Sequence, residues 1–179
     1  MIRTLAVAAT TLALMIAPAT VAQAGRTVVV LNPIGFPEGA GGDRILTATG
    51  GQVAYLAGAR WVGPSETLYR RALEAEFLRS GRSVSVSERR EAPRNGVALN
   101  LDVTSFEARY LDGPDAAPVV FVTGRARLVS ADRAVLAERT FISQPPAAEN
   151  RVSSVVAAFE SATADFNRQL VAWVDASAG

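Results

Sequence analysis

Between Val97 and Phe141 three segments carry apolar residues on alternate positions, which restricts this part of the chain to strands with one dry face. Val97, Leu99, Leu101 and Val103 share one side, and the apolar phase then slips to Phe106, Ala108 and Tyr110. Side chains alternate along a strand with a period of two, so a slip of one marks a β-bulge near Thr104-Ser105. Leu111 to Pro118, carrying Gly113-Pro114, reads as a hairpin loop. Val120, Val122, Gly124, Ala126 and Leu128 then alternate against Thr123, Arg125 and Arg127. Ser130 to Arg133 is a tight connection, and Val135, Ala137 and Phe141 share a face of the next strand. Turns this short join antiparallel neighbours.

Such a sheet needs something to cover its dry face, and two stretches at helical spacing supply it. Val53 to Gly81 runs in extended form past Tyr55 and Trp61 and then turns at Gly63-Pro64. Pro64 suits the first helical position, Glu66 favours the positive end of the helix dipole, and Gly81 is the expected left-handed stop. Leu68, Tyr69, Ala72, Leu73 and Phe77 form the apolar side, which Glu76 interrupts; Arg70, Arg71 and Glu74 point away. The second helix is capped by Asn150 and runs to about Val174, with Val152, Val155, Val156, Phe159, Thr163, Phe166, Leu170 and Trp173 in one arc. Earlier strands are expected at Thr27 to Leu31, Ile45 to Thr49 and Gln52 to Leu56, and Ser83 to Ser87 supplies another after the first helix. The order defines an α+β, two-layer domain: an antiparallel sheet of about four to six strands with two amphipathic helices packed on one face. No linker divides residues 25–179, which read as one domain.

Missing residue types narrow the chemistry. The 179 residues contain no Cys, no His and no Lys, so all 18 basic side chains are Arg. Thiolate and imidazole metal sites, Ser-His-Asp and Cys-His catalysis, and Schiff-base lysines are therefore excluded. The acids are scattered, and the nearest pair, Asp112 and Asp115, sits in a turn where Asp satisfies local backbone groups. A non-enzyme without cofactor is the expectation. The Gly-rich stretch Asn32 to Gly42 lacks the lysine and the strand–loop–helix setting of a phosphate cradle and reads as a loop, with Phe36 tucked against the core. Arg70-Arg71 and Arg89-Arg90 match phosphate geometry but read as solvated faces. Tyr55 and Trp61 are the candidate partner contacts, since large aromatics are enriched at interface hot spots; for Trp61 a core position stands beside that reading.

Residues 1–24 have the layout of a secretory signal: basic Arg3, apolar Leu5 to Ile16, and Ala22-Gln23-Ala24 before a cleavage after Ala24. An uncleaved anchor is the alternative. Cleavage would remove Arg3 and leave Arg and acids in balance, which argues against nucleic-acid binding.

Asp43-Arg44-Ile45-Leu46, Val53-Ala54-Tyr55, Ala59-Arg60-Trp61, Leu73, Phe77, Ser80-Gly81, Phe106-Glu107 and Val171-Ala172-Trp173-Val174 together resemble the ABC-type transport auxiliary component family. The resemblance covers residues 26–175, mostly through core positions. It implies an accessory subunit working with an MCE-domain (mammalian cell entry) protein, an inner-membrane permease and an ATPase. The cargo would be phospholipid or a related lipid crossing the cell envelope, in support of outer-membrane integrity, and the subunit could itself be a homo-oligomer. The family brings no catalytic residues. Its members are anchored through a Cys after the signal, and here Val21 to Gly25 contains none. The expectation is a periplasmic protein that is not a lipoprotein. A free lipid- or small-molecule-binding protein is the alternative function.

Overall fold

The structure is a computed structural model that describes residues 27–80, 84–87 and 96–178. The expected signal at 1–24, the helix stop at Gly81, the strand start at Ser83 and the Arg89-Arg90 pair lie outside the described residues. The strands are β1 (Thr27–Leu31), β2 (Arg44–Thr49), β3 (Gln52–Arg60), β4 (Val84–Ser87), β5 (Val97–Tyr110), β6 (Val119–Val129) and β7 (Val135–Ser143). Helix α1 (Ser65–Ser80) falls between β3 and β4, and α2 (Val152–Ala178) follows β7. The α+β class is as expected.

The sheet is larger and more mixed than the alternation implies. It has seven strands among the described residues. β5–β6, β6–β7 and β2–β3 are antiparallel, as short turns require, but β1 runs parallel to both β4 and β5, and β2 runs parallel to β5. Short turns fix direction only for consecutive strands. β1 and β2 reach β5 across long connections, and there a parallel pairing is open to them.

The long strand β5 is the axis. One edge pairs with β6 throughout, and its other edge is shared. β1 takes the first part, from Val29 against Val97 to Leu31 against Leu99; β2 takes the last, from Thr47 against Ala108 to Thr49 against Tyr110. Gly35 fills the gap, its N–H donating to the Leu101 carbonyl at 2.9 Å and its carbonyl accepting from the Val103 N–H at 2.8 Å. A Cβ at Gly35 would lie 2.3 Å from an Asp102 carboxylate oxygen, so any other residue here would have to push that side chain aside.

The phase slip at Thr104-Ser105 is a bulge: register shifts between Val103 and Ser105 against β6. It keeps Leu101, Val103, Phe106 and Ala108 all buried in the core. Gly124 sits opposite the bulge, where a Cβ would meet the Asp102 carbonyl at 2.9 Å and the Phe166 ring at 3.0 Å. Its bare backbone lets Phe166 of α2 press onto the sheet.

Helix α2 packs on β6 and β7, and α1 packs on α2 and β4. The buried face of α2 is rotated from the expected arc: Ala158, Ala162, Asn167, Val171 and Val174 are buried, while Val152 is exposed. Small residues at 158 and 162 let the helix lie close to the sheet, and alanines are easily overlooked by a pattern built on large side chains. On β7 only Phe141 and Ser143 are buried, whereas Val135 is exposed because register slips beside Val129. Asn150 does not cap α2. Its amide donates to the Pro114 carbonyl at 2.9 Å and its oxygen accepts from the Tyr110 hydroxyl at 3.2 Å, tying the β5–β6 loop to the helix approach.

A candidate cleft between the two helices

The start of α1 is held by the glycine-rich loop before β2. The Ser65 N–H donates to the Gly42 carbonyl at 2.8 Å, the Glu66 N–H to the Gly41 carbonyl at 3.4 Å, and the Ser65 hydroxyl to the Ala40 carbonyl. Orphan donors at a helix start need acceptors, and here they come from the loop's own carbonyls. The loop therefore closes the helix end by itself, and its amides do not form a phosphate cradle there. Phe36 is tucked in, with its ring centroid 5.7 Å from Tyr69 and 5.2 Å from Phe106.

Between α1 and α2 runs a cleft of about 450 Å³, lined by Trp61, Ser65, Leu68, Tyr69, Ala72, Ala75, Glu76, Arg79, Phe106, Phe159, Glu160, Thr163, Ala164 and Asn167. It exists because the helix residues facing it are small. Ala72 and Ala75 on α1 and Ala164 on α2 leave room that larger side chains would fill. Leu73 and Phe77 go to the core, while Leu68 and Ala72 border the cleft, so the expected apolar side of α1 is divided between two neighbours. Aromatic rings form the deep end: Phe106 lies 5.0 Å from Phe159 and 6.1 Å from Tyr69, and Trp61 lies 5.3 Å from Phe159. These are edge-on or tilted ring pairs, the arrangement aromatic quadrupoles favour.

Two polar groups in this apolar setting are unusual. The Tyr69 hydroxyl and the Asn167 Oδ1 are buried without a hydrogen-bond partner among the described residues, and each residue is only 2% exposed. Such groups typically cost about 1–3 kcal/mol each. Burial pushes the Tyr69 phenol well above its ordinary value, so it stays a neutral hydroxyl. Glu76, which interrupts the apolar side of α1 in sequence, is buried at the cleft wall and paired with the exposed Arg79. Neither Tyr69 nor Asn167 was legible as special in the sequence: Tyr69 reads as part of the apolar side of α1, and Asn167 falls outside the arc expected for α2.

The structure separates the two sequence candidates. Trp61 is half-buried among Phe106 and Phe159 and lines the cleft. Tyr55 stands outside on the β2–β3 hairpin, with the Arg44 guanidinium 3.7 Å above its ring. It borders a second, shallower hollow with Glu38, Gly39, Leu46, Val53 and Ala54. Arg70 is tied to Glu74 at 3.0 Å, and the Asp112–Asp115 turn closes through the Ala116 N–H donating to the Gly113 carbonyl. Among the described residues no group of three or more His, Cys, Asp or Glu could hold a metal ion, and no helix is long and apolar enough to cross a membrane.

A mixed sheet covered on one face by two helices, with an apolar cleft between them, defines a two-layer α+β domain with a candidate binding cleft. The family follows from sequence: residues 11–171 match the model of the ABC-type transport auxiliary lipoprotein component, and the chain belongs to that family. Among solved structures it is similar to the DUF330 protein of Xanthomonas campestris at 25% identity, with a TM-score of 0.74 and coverage of 84% of each chain. A second solved protein, itself uncharacterized, shares the fold at 17% identity and a TM-score of 0.70, over 83% of this chain and 92% of its own. A minor lipoprotein of Acinetobacter baumannii is similar at 11% identity, with a TM-score of 0.52 over 84% of this chain and 94% of its own. No curated protein matches the chain.

These findings correct one expectation. The chain was expected in the periplasm as a protein that is not a lipoprotein, on the ground that it has no Cys for an anchor. Its family is a lipoprotein family, and a structural neighbour is described as a lipoprotein. The missing thiol bears on one attachment chemistry within these 179 residues and does not carry the broader conclusion.

Proposed function

We propose that the chain serves as a non-enzymatic auxiliary subunit of an MCE-type ABC transporter that moves phospholipid or a related lipid across the cell envelope. The observation that carries this reading is the family match across residues 11–171. Its partners would be an MCE-domain protein and the inner-membrane permease and ATPase. The architecture suits such a role: a packed core, an aromatic-floored cleft and a largely exposed β3 strand on the β2–β3 hairpin. Affinity purification of the tagged chain from solubilised membranes tests it. Recovery of an MCE-domain protein with a permease supports the reading, and repeated recovery without any transporter subunit overturns it.

The cleft favours a second reading, a free carrier for lipid or another small molecule. Native mass spectrometry of the chain purified from its own cells separates the two. A carrier emerges with bound ligand and without transporter subunits.

A further inference from the structure

We infer that the α1–α2 cleft is a binding site for an uncharged amphiphile, one that lays a single apolar chain against the aromatic floor and presents a hydroxyl or amide to Tyr69 and Asn167. The inference concerns ligand chemistry and stands under either functional reading. Three observations on the cleft support it.

The first is size and lining. At about 450 Å³ the cleft falls within the roughly 300–1,000 Å³ typical of small-molecule sites, and its walls are Trp61, Leu68, Ala72, Phe106, Phe159 and Ala164. The second is the pair of unsatisfied polar groups. The Tyr69 hydroxyl has a proton to donate and Asn167 Oδ1 has lone pairs to fill, yet neither has a partner among the described residues. A ligand hydroxyl or amide carries both an acceptor for the first and a donor for the second. A ligand carboxylate or phosphate offers acceptors only and leaves Asn167 unfilled.

The third is charge. The ionisable groups lining the cleft are Glu76, Glu160 and Arg79, and Arg79 is already engaged by Glu76. Among the described residues no cation besides Arg79 lines the space, so there an anionic head meets net negative charge in a partly desolvated setting. The cleft thus selects neutral heads over anionic ones.

The test uses the full chain carrying Trp173→Phe, which leaves Trp61 as the single tryptophan and places the reporter in the cleft. Monodecanoylglycerol and decanoate are titrated separately below their aggregation limits while tryptophan emission is followed. Saturable binding of the glycerol ester is expected, with decanoate weaker by about tenfold or more, because a buried unpaired acceptor and like charge both oppose it. Tyr69→Phe removes one oxygen without changing shape and is expected to weaken the ester by about tenfold. Asn167→Leu is expected to act in the same direction, and Ala164→Phe to abolish binding by filling the cleft. Circular dichroism checks folding; should Asn167→Leu fail to fold, Tyr69→Phe decides. Absence of saturable ester binding, equal affinity for decanoate, or an unchanged affinity in folded Tyr69→Phe each overturns the inference.

Discussion

Tyr55 and Trp61 lie on one short extended segment, yet they have opposite fates. Trp61 is packed against Phe106 and Phe159, while Tyr55 is exposed beneath Arg44 on a hairpin whose residues are mostly in solvent, Val53 being 72% exposed. The backbone between them is responsible. Arg44 pairs with Arg60 but Leu46 pairs with Tyr55, so β3 carries more chain than β2 between those two points. Gly58 absorbs the excess at a φ of 71°, a conformation other residues adopt only with strain. Before that break most of β3 stands in solvent beside the buried Ile45 and Leu46 of β2; after it the chain is drawn in, with the Trp61 N–H donating to the Asp43 carbonyl at 2.7 Å. Aromatic identity alone does not tell a contact residue from a core residue. The local backbone decides.

The contrast can be tested by substitution. Phe106→Ala should cost most, about 3–5 kcal/mol, because it empties the centre against which Phe36, Trp61, Tyr69 and Phe159 all pack. Urea denaturation measures it, and a loss below about 1 kcal/mol would mean the cluster is not a core. Trp61→Ala should cost about 2–3 kcal/mol, less than a fully buried ring because Trp61 is half-buried. If it leaves the melting temperature unchanged and weakens only partner capture, Trp61 belongs with Tyr55 after all. Gly58→Ala should cost about 1–2 kcal/mol by forcing a Cβ into the left-handed region, since open space surrounds the site and strain is the sole cause.

Tyr69→Phe is expected to have the opposite sign. Removing a buried hydroxyl without a partner should raise stability by about 1 kcal/mol while impairing ligand binding, and a matching pair of melting curves and titrations would show both. Tyr55→Ala should have the smallest effect on stability, within about 0.5–1 kcal/mol, the worth of an exposed cation–π contact. Its effect on partner capture, measured against the parent chain, reports whether the hairpin is a docking edge.

Much of this fold could be read from residue order. The bulge at Thr104-Ser105 was visible as a phase slip, because strand periodicity is strict enough that one extra residue shifts every later side chain. The antiparallel run through β5, β6 and β7 followed from short turns. What escaped were features that depend on distant segments meeting. Alternation along β1 says that it is a strand and nothing about its direction, so its parallel pairing with β5 was hidden. Asn150 has the chemistry of a cap, but the Pro114 carbonyl and the Tyr110 hydroxyl outcompete that use once the β5–β6 loop lies beside it. The cleft was least legible, since its walls come from α1 and α2, its space depends on alanines, and its polar character rests on two unpaired atoms.

The shared edge of β5 also sets the order in which this molecule can be assembled. Asn32 hydrogen-bonds Asn100 across a sequence separation of 68, and β1, Gly35 and β2 each place one edge against the same late strand. A chain emerging from its amino end therefore presents β1 and β2 long before β5 exists to receive them. The β2–β3 hairpin and α1 are local and form early, but sheet closure waits for β5, and non-local pairing of this kind is slow. During that wait the Val28-Val29-Val30-Leu31 edge is open to incorrect partners. A chain of this topology benefits from being held unfolded until its second half has arrived.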